Sequence, residues 1–166
     1  MAKTRKLALM AVLTAAALTI FMLESQLPPV APIPGVKLGL ANIITLTAML
    51  LLGRREAGAI LAVRILMGAA FAGSPASLLY SGAGGAAAYL LMVMTVKLFP
   101  EKQLWIVSAL AGIAHNAGQL AACVLIVKTP GVLVYAPVLA ASGVITGCFT
   151  GFAAMYLVRT LKKLRF

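Results

Sequence analysis

The chain has 166 residues, of which 63% are hydrophobic and only 10% charged, with a mean hydropathy of +1.07. That composition excludes an ordinary water-soluble domain, and at roughly 20 residues per membrane span the length holds six spans and no separate soluble domain. A net charge of +11 would point to nucleic acid if the basic residues formed one patch, but most of them flank apolar runs.

Lys3, Arg5 and Lys6 precede a first apolar run over residues 7–23. A basic start before an apolar run also describes a signal peptide. This run is longer than a usual signal core, and Glu24-Ser25-Gln26 and prolines follow it instead of a small-residue cleavage site, so a retained span is predicted. Within it Ala11 and Ala15 form a small-xxx-small pair suited to close helix packing. From Pro28 to Gly35 the prolines remove backbone donors and restrict their neighbours, which predicts an extended loop.

A second span is predicted over 36–52, stopped by Gly53-Arg54-Arg55-Glu56, and a third over 57–72, stopped by Gly73-Ser74-Pro75. The fourth, 76–99, carries Gly82, Gly84 and Gly85, which permit close approach by a neighbour. Pro100-Glu101-Lys102 ends it. The fifth runs over 104–127 to Lys128-Thr129-Pro130-Gly131, and the sixth over 132–158 tolerates Pro137 before a basic tail.

Basic residues are retained on the cytoplasmic side of a membrane, so their distribution tests orientation. With the N-terminus inside, Lys3, Arg5, Lys6, Arg54, Arg55, Lys97, Lys102, Arg159, Lys162, Lys163 and Arg165 face the cytoplasm. Lys37 and Lys128 lie opposite, and Arg64 lies within a span. The expectation is an all-α integral membrane protein, a bundle of six transmembrane helices with N- and C-termini cytoplasmic, in a bacterial inner membrane. The same distribution removes the reason to invoke nucleic acid.

Polar residues inside spans are informative, because each costs several kcal/mol unless it finds a partner or a wet cavity. Arg64 lies roughly 13 Å into the third span, near the bilayer middle. It either snorkels or pairs with a carbonyl or Glu24, or it forms an internal site for an anionic group. His115 and Gln119, four residues apart, share a helical face in the fifth span beside Asn116. Asn42 reaches a similar depth, and Glu24 closes the first span on that side. These residues predict a pocket open to the outside, floored near Arg64 and lined by His115, Asn116, Gln119 and Asn42. The competing reading is hydrogen bonding between helices as packing glue.

Other features are structural. Cys123 and Cys148 sit in apolar runs without metal-ligand spacing. Tyr80, Tyr89, Tyr135, Tyr156 and Trp105 read as interfacial or packing aromatics. There is no aspartate and no phosphate-binding Gly-x-x-x-x-Gly-Lys loop. With no recognisable nucleophile and base, enzyme activity of the isolated chain is not expected, nor is a cofactor or a metal.

The stretches Glu24-Ser25-Gln26-Leu27-Pro28-Pro29, Pro32-Ile33-Pro34-Gly35-Val36-Lys37-Leu38-Gly39-Leu40-Ala41-Asn42 and Ala114-His115-Asn116-Ala117-Gly118-Gln119 resemble the Gx transporter family, also called heptaprenyl diphosphate synthase component I. That family is similar in size and span number to the substrate-binding S components of energy-coupling-factor transporters. The resemblance implies six helices, capture of a small solute from outside, and docking through small residues of the first span on a transmembrane coupling subunit with ATPase subunits. Ala11 and Ala15 match that docking face by position and type. The expected substrate is a small polar or anionic metabolite, with Arg64, Lys37, His115, Asn116, Gln119, Asn42 and Glu24 as candidate binding residues. The family's other name implies a non-catalytic membrane accessory subunit of a polyprenyl diphosphate synthase. Such synthases hold magnesium through aspartate-rich motifs, and this chain has no aspartate.

Overall fold

A computed structural model describes residues 3–28, 37–73 and 75–163. The proline-rich loop and the expected start of the second span at Val36 fall largely outside the described residues, as do Ser74 and the last three residues. Everything described is helix, turn or loop: α1 (Lys3–Glu24), α2 (Asn42–Leu51), α3 (Arg54–Ala72), α4 (Pro75–Thr95), α5 (Leu104–Val127) and α6 (Ala136–Lys163). Short 3-10 turns, Glu101–Gln103 and Pro130–Tyr135, lead into α5 and α6. Pro137 is the second residue of α6; the backbone N–H it lacks would have had no helical partner there, which is why the helix tolerates it.

By length and composition α1, α4, α5 and α6, the last two with their leading turns, can cross a membrane. The sequence predicts six spans, and two helices depart from that count. With ten residues, α2 is about 15 Å long, half the hydrocarbon thickness. Charged Arg54, Arg55, Glu56 and Arg64 all lie in α3. The second segment is shorter than predicted because Gly39 adopts φ +81°, a left-handed conformation that suits glycine and interrupts the helix. Helical geometry starts only at Asn42.

The helices assemble around α5, which packs most extensively against α6 and α4, while α1 lies against α3 and α2. Glycines make the α5–α6 seam tight. The backbones of Gly112 and Gly143 meet directly, and a Cβ on Gly147 would fall 2.6 Å from the Ser108 carbonyl oxygen. Lipid tails are as apolar as leucine, so close backbone packing of this kind supplies the helix association that hydrophobicity cannot. A buried hydroxyl pair, Ser108 and Thr150 at 2.9 Å, bridges the same seam.

Leu9, Leu13, Met49, Ile60, Met92, Leu104, Val107 and Met155 form the main apolar core. At this end of the bundle Lys6 pairs with Glu56 and Lys162 with Glu101 (3.2 Å). Tyr89 donates its hydroxyl to the Arg54 carbonyl at 2.8 Å. The start of α1 thus lies with the starts of α3 and α5 and the end of α6. Outward-facing Leu66, Phe71, Met94, Leu125, Ile145 and Phe149 are all more than half exposed, an apolar exterior suited to lipid.

Candidate functional site

At the other end of the bundle the remaining acid, Glu24, is buried with Asn42, Arg64, Ser81, His115 and Gln119, each at 5% exposure or less. The last turn of α1 supplies Phe21 and Glu24, the first residue of α2 supplies Asn42, and the middles of α3, α4 and α5 supply Arg64, Ser81 and His115 with Gln119. With half-buried Lys37, Gly39 and Ala41 they line one cavity. Its volume is about 10 Å³, room for a single water.

Residues 37–39 form a strap across this cavity, tied by three consecutive residues to three helices. The Lys37 N–H donates to Gln119 Oε1 at 3.0 Å, the Leu38 carbonyl accepts from Thr146 Oγ1 at 3.3 Å, and the Gly39 N–H donates to Glu24 Oε1. The pocket expected to be open is therefore closed, because the strap's backbone takes two of the side chains predicted to face a ligand.

Glycines let His115 sit under the strap. A Cβ on Gly39 would lie 2.8 Å from His115 Cδ2, and one on Gly84 would lie 2.9 Å from His115 Cε1. The imidazole is held between strap and α4, yet neither ring nitrogen makes a hydrogen bond. Phe21 organises the cations: Lys37 Nζ stands 3.4 Å from its ring centroid and Arg64 Cζ 5.6 Å. Cation–π contacts stabilise by about 0.5–2 kcal/mol, more where the cation is desolvated. Gly68 makes room for that ring, since a Cβ there would lie 2.8 Å from Phe21 Cε1.

Arg64 is 3% exposed, and its Nε and Nη2 have no hydrogen-bond partner. The pairing with Glu24 offered as one sequence reading does not form: among the described residues the ion pairs are Lys6–Glu56 and Lys162–Glu101. In their ordinary ionised forms Lys37, Arg64 and Glu24 carry one positive charge in excess beside a neutral imidazole. The arrangement has the donors and the charge to hold an anion.

Of the predicted binding residues, the structure brings Glu24, Lys37, Asn42, Arg64, His115 and Gln119 to this cavity. Asn116 lies apart. Its Nδ2 donates to the Leu139 carbonyl at 2.7 Å and to Ser142 Oγ at 3.1 Å, so it joins α5 to α6. Ala11 and Ala15 lie exposed on α1, away from the cavity. Sequence reasoning missed Phe21 and Ser81. Ser81 carries the same signal that singled out Asn42, a polar residue within an apolar run. Phe21 carries none beyond lying three residues before Glu24, on one face of α1.

The heptaprenyl diphosphate synthase component I family matches residues 13–157, and the chain belongs to that family. No curated protein and no solved structure matches it significantly.

Proposed function

We propose that this chain is the membrane-embedded binding subunit of an uptake system, resembling the S component of an energy-coupling-factor transporter. It takes a small polar or anionic metabolite from the outer side of a bacterial inner membrane. The observation that carries the reading is the cluster around Arg64. Buried polar groups without partners cost several kcal/mol each in a membrane interior, and here Arg64 and both nitrogens of His115 are left in that condition around a common cavity. A bound solute would supply the missing partners. Metabolite pockets measure roughly 300 Å³ or more, so entry requires the strap over residues 37–39 to move outward. In this reading α2 and α3 complete a six-span bundle with both termini cytoplasmic, as the distribution of basic residues supports. The exposed Ala11 and Ala15 face of α1 then contacts a transmembrane coupling subunit driven by ATPase subunits.

The family description favours a second reading, a non-catalytic membrane subunit of a polyprenyl diphosphate synthase. Native mass spectrometry of the protein purified from its own membranes separates the two. The uptake reading expects a retained small molecule and co-purifying membrane and ATPase subunits, whereas a soluble prenyl synthase as sole companion would overturn it. Solute binding undiminished in both Arg64→Ala and His115→Ala would remove this cavity as the site.

A further inference from the structure

We infer that the ligand of this cavity carries a flat oxyanion, a carboxylate or one face of a phosphate, received side-on by the Nε and Nη2 edge of Arg64. The inference rests on the binding reading above and narrows its substrate class.

A guanidinium presents its donors on distinct edges. Nε–H and one Nη2–H point the same way from adjacent atoms and match the two oxygens of a carboxylate or phosphate in parallel hydrogen bonds. These are the two Arg64 nitrogens that are buried without a partner. The free donors are therefore one complete edge. Among the described residues no acid fills it: Glu24 Oε1 accepts from the Gly39 N–H of the strap, and Glu24 forms no ion pair with Arg64.

The surroundings keep that edge in place. The Arg64 guanidinium carbon lies 5.6 Å from the Phe21 centroid. On the α4 side Gly85 faces Nη2, and a Cβ there would come to 3.4 Å from it. Charge selects further. With Lys37, Arg64 and Glu24 all in their ordinary ionised forms the cluster carries one positive charge, which a monoanion neutralises, while a doubly charged phosphate calls for one proton more. A carboxylate is thus the simpler fit, and phosphate shares the same docking chemistry.

The test uses the full chain in lipid nanodiscs, with the thermal unfolding midpoint read against added acetate, benzoate, inorganic phosphate and the uncharged benzamide. The expected result is a saturable rise with benzoate, acetate or phosphate up to about 10 mM and none with benzamide. Arg64→Lys keeps the charge but removes the planar fork, and weakens the response about tenfold or more. Response to the carboxylates alone identifies a carboxylate ligand, and response to phosphate alone a phosphate ligand. An equal response of Arg64→Lys and the parent overturns the proposal, as does benzamide acting as well as benzoate, or no anion acting at all. If Arg64→Lys does not fold, the acid and amide comparison on the parent chain decides by itself. A retained neutral solute that binds the parent and Arg64→Lys alike overturns the oxyanion proposal and leaves the binding reading standing; absence of any retained or bound solute ends both.

Discussion

The two ends of the bundle handle charge in opposite ways. At the basic end Lys162 meets Glu101 at 3.2 Å with both side chains about half exposed (53% and 55%), and Lys6 meets Glu56. At the other end Arg64 is almost wholly buried and, among the described residues, forms no direct ion pair, although Glu24 lines the same cavity. Exposed pairs are worth at most about 1 kcal/mol and cost little to lose. A buried cation without a partner is held in place by the fold around it against a substantial desolvation cost. In the binding reading proposed above, the difference separates charges that orient the protein in its membrane from a charge kept for a ligand.

Arg64→Met tests this contrast most strongly. Removing the buried charge while keeping an apolar stem is expected to raise the stability of the empty protein, since the guanidinium no longer has to be desolvated, and to abolish anion binding, read by unfolding in nanodiscs with and without benzoate. A loss of stability would place Arg64 among the structural residues. Gly84→Ala comes next, because its methyl would press on His115 and Gln119 at under 3 Å. Overpacking should lower stability by about 1–3 kcal/mol and displace the imidazole, visible as a changed histidine resonance by NMR.

Asn116→Ala is expected to cost about 0.6–1.7 kcal/mol, the range for interhelical hydrogen bonds in membranes, and to leave anion affinity unchanged. A binding defect there would extend the site toward α6. The smallest effects belong to the basic end. Hydrogen bonding to Lys6 holds the Glu56 carboxyl below its ordinary value of 4.5. A carboxyl with a lowered folded value contributes stability above the ordinary value, and this is lost as pH falls through the lowered one. Glu56→Gln should lower the unfolding midpoint slightly near neutrality, where the contribution is fully present, and flatten its pH dependence in acid.

Hydropathy made most of the helices legible, because a stretch of apolar residues interrupted by Pro, Gly and charge carries its own boundaries. The predicted 57–72 and 104–127 runs sit within or on α3 and α5. The second span was misjudged at its start. Val36 to Ala41 is apolar enough to continue a helix, and nothing in composition announces that Gly39 turns left-handed and gives its N–H to Glu24. The site was legible where cost in a membrane is high: Arg64, His115, Gln119, Asn42 and Glu24 stand out against an apolar background. Which polar residue faces the cavity and which joins helices depends on helix rotation. A run of adjacent residues such as His115-Asn116 points in two directions, and sequence alone assigned both to the pocket.

The strap over residues 37–39 makes one more property calculable. Its three ties end on α1, α5 and α6, so no single helix movement can free it, and releasing one tie leaves two others holding the register. Amide exchange at Lys37 and Gly39 should accordingly proceed by a shared opening event, with the same rate and the same dependence on temperature, rather than as two independent local fluctuations. In the binding reading, entry of a solute into the cavity is then metered by one cooperative opening whose frequency those two amides report directly.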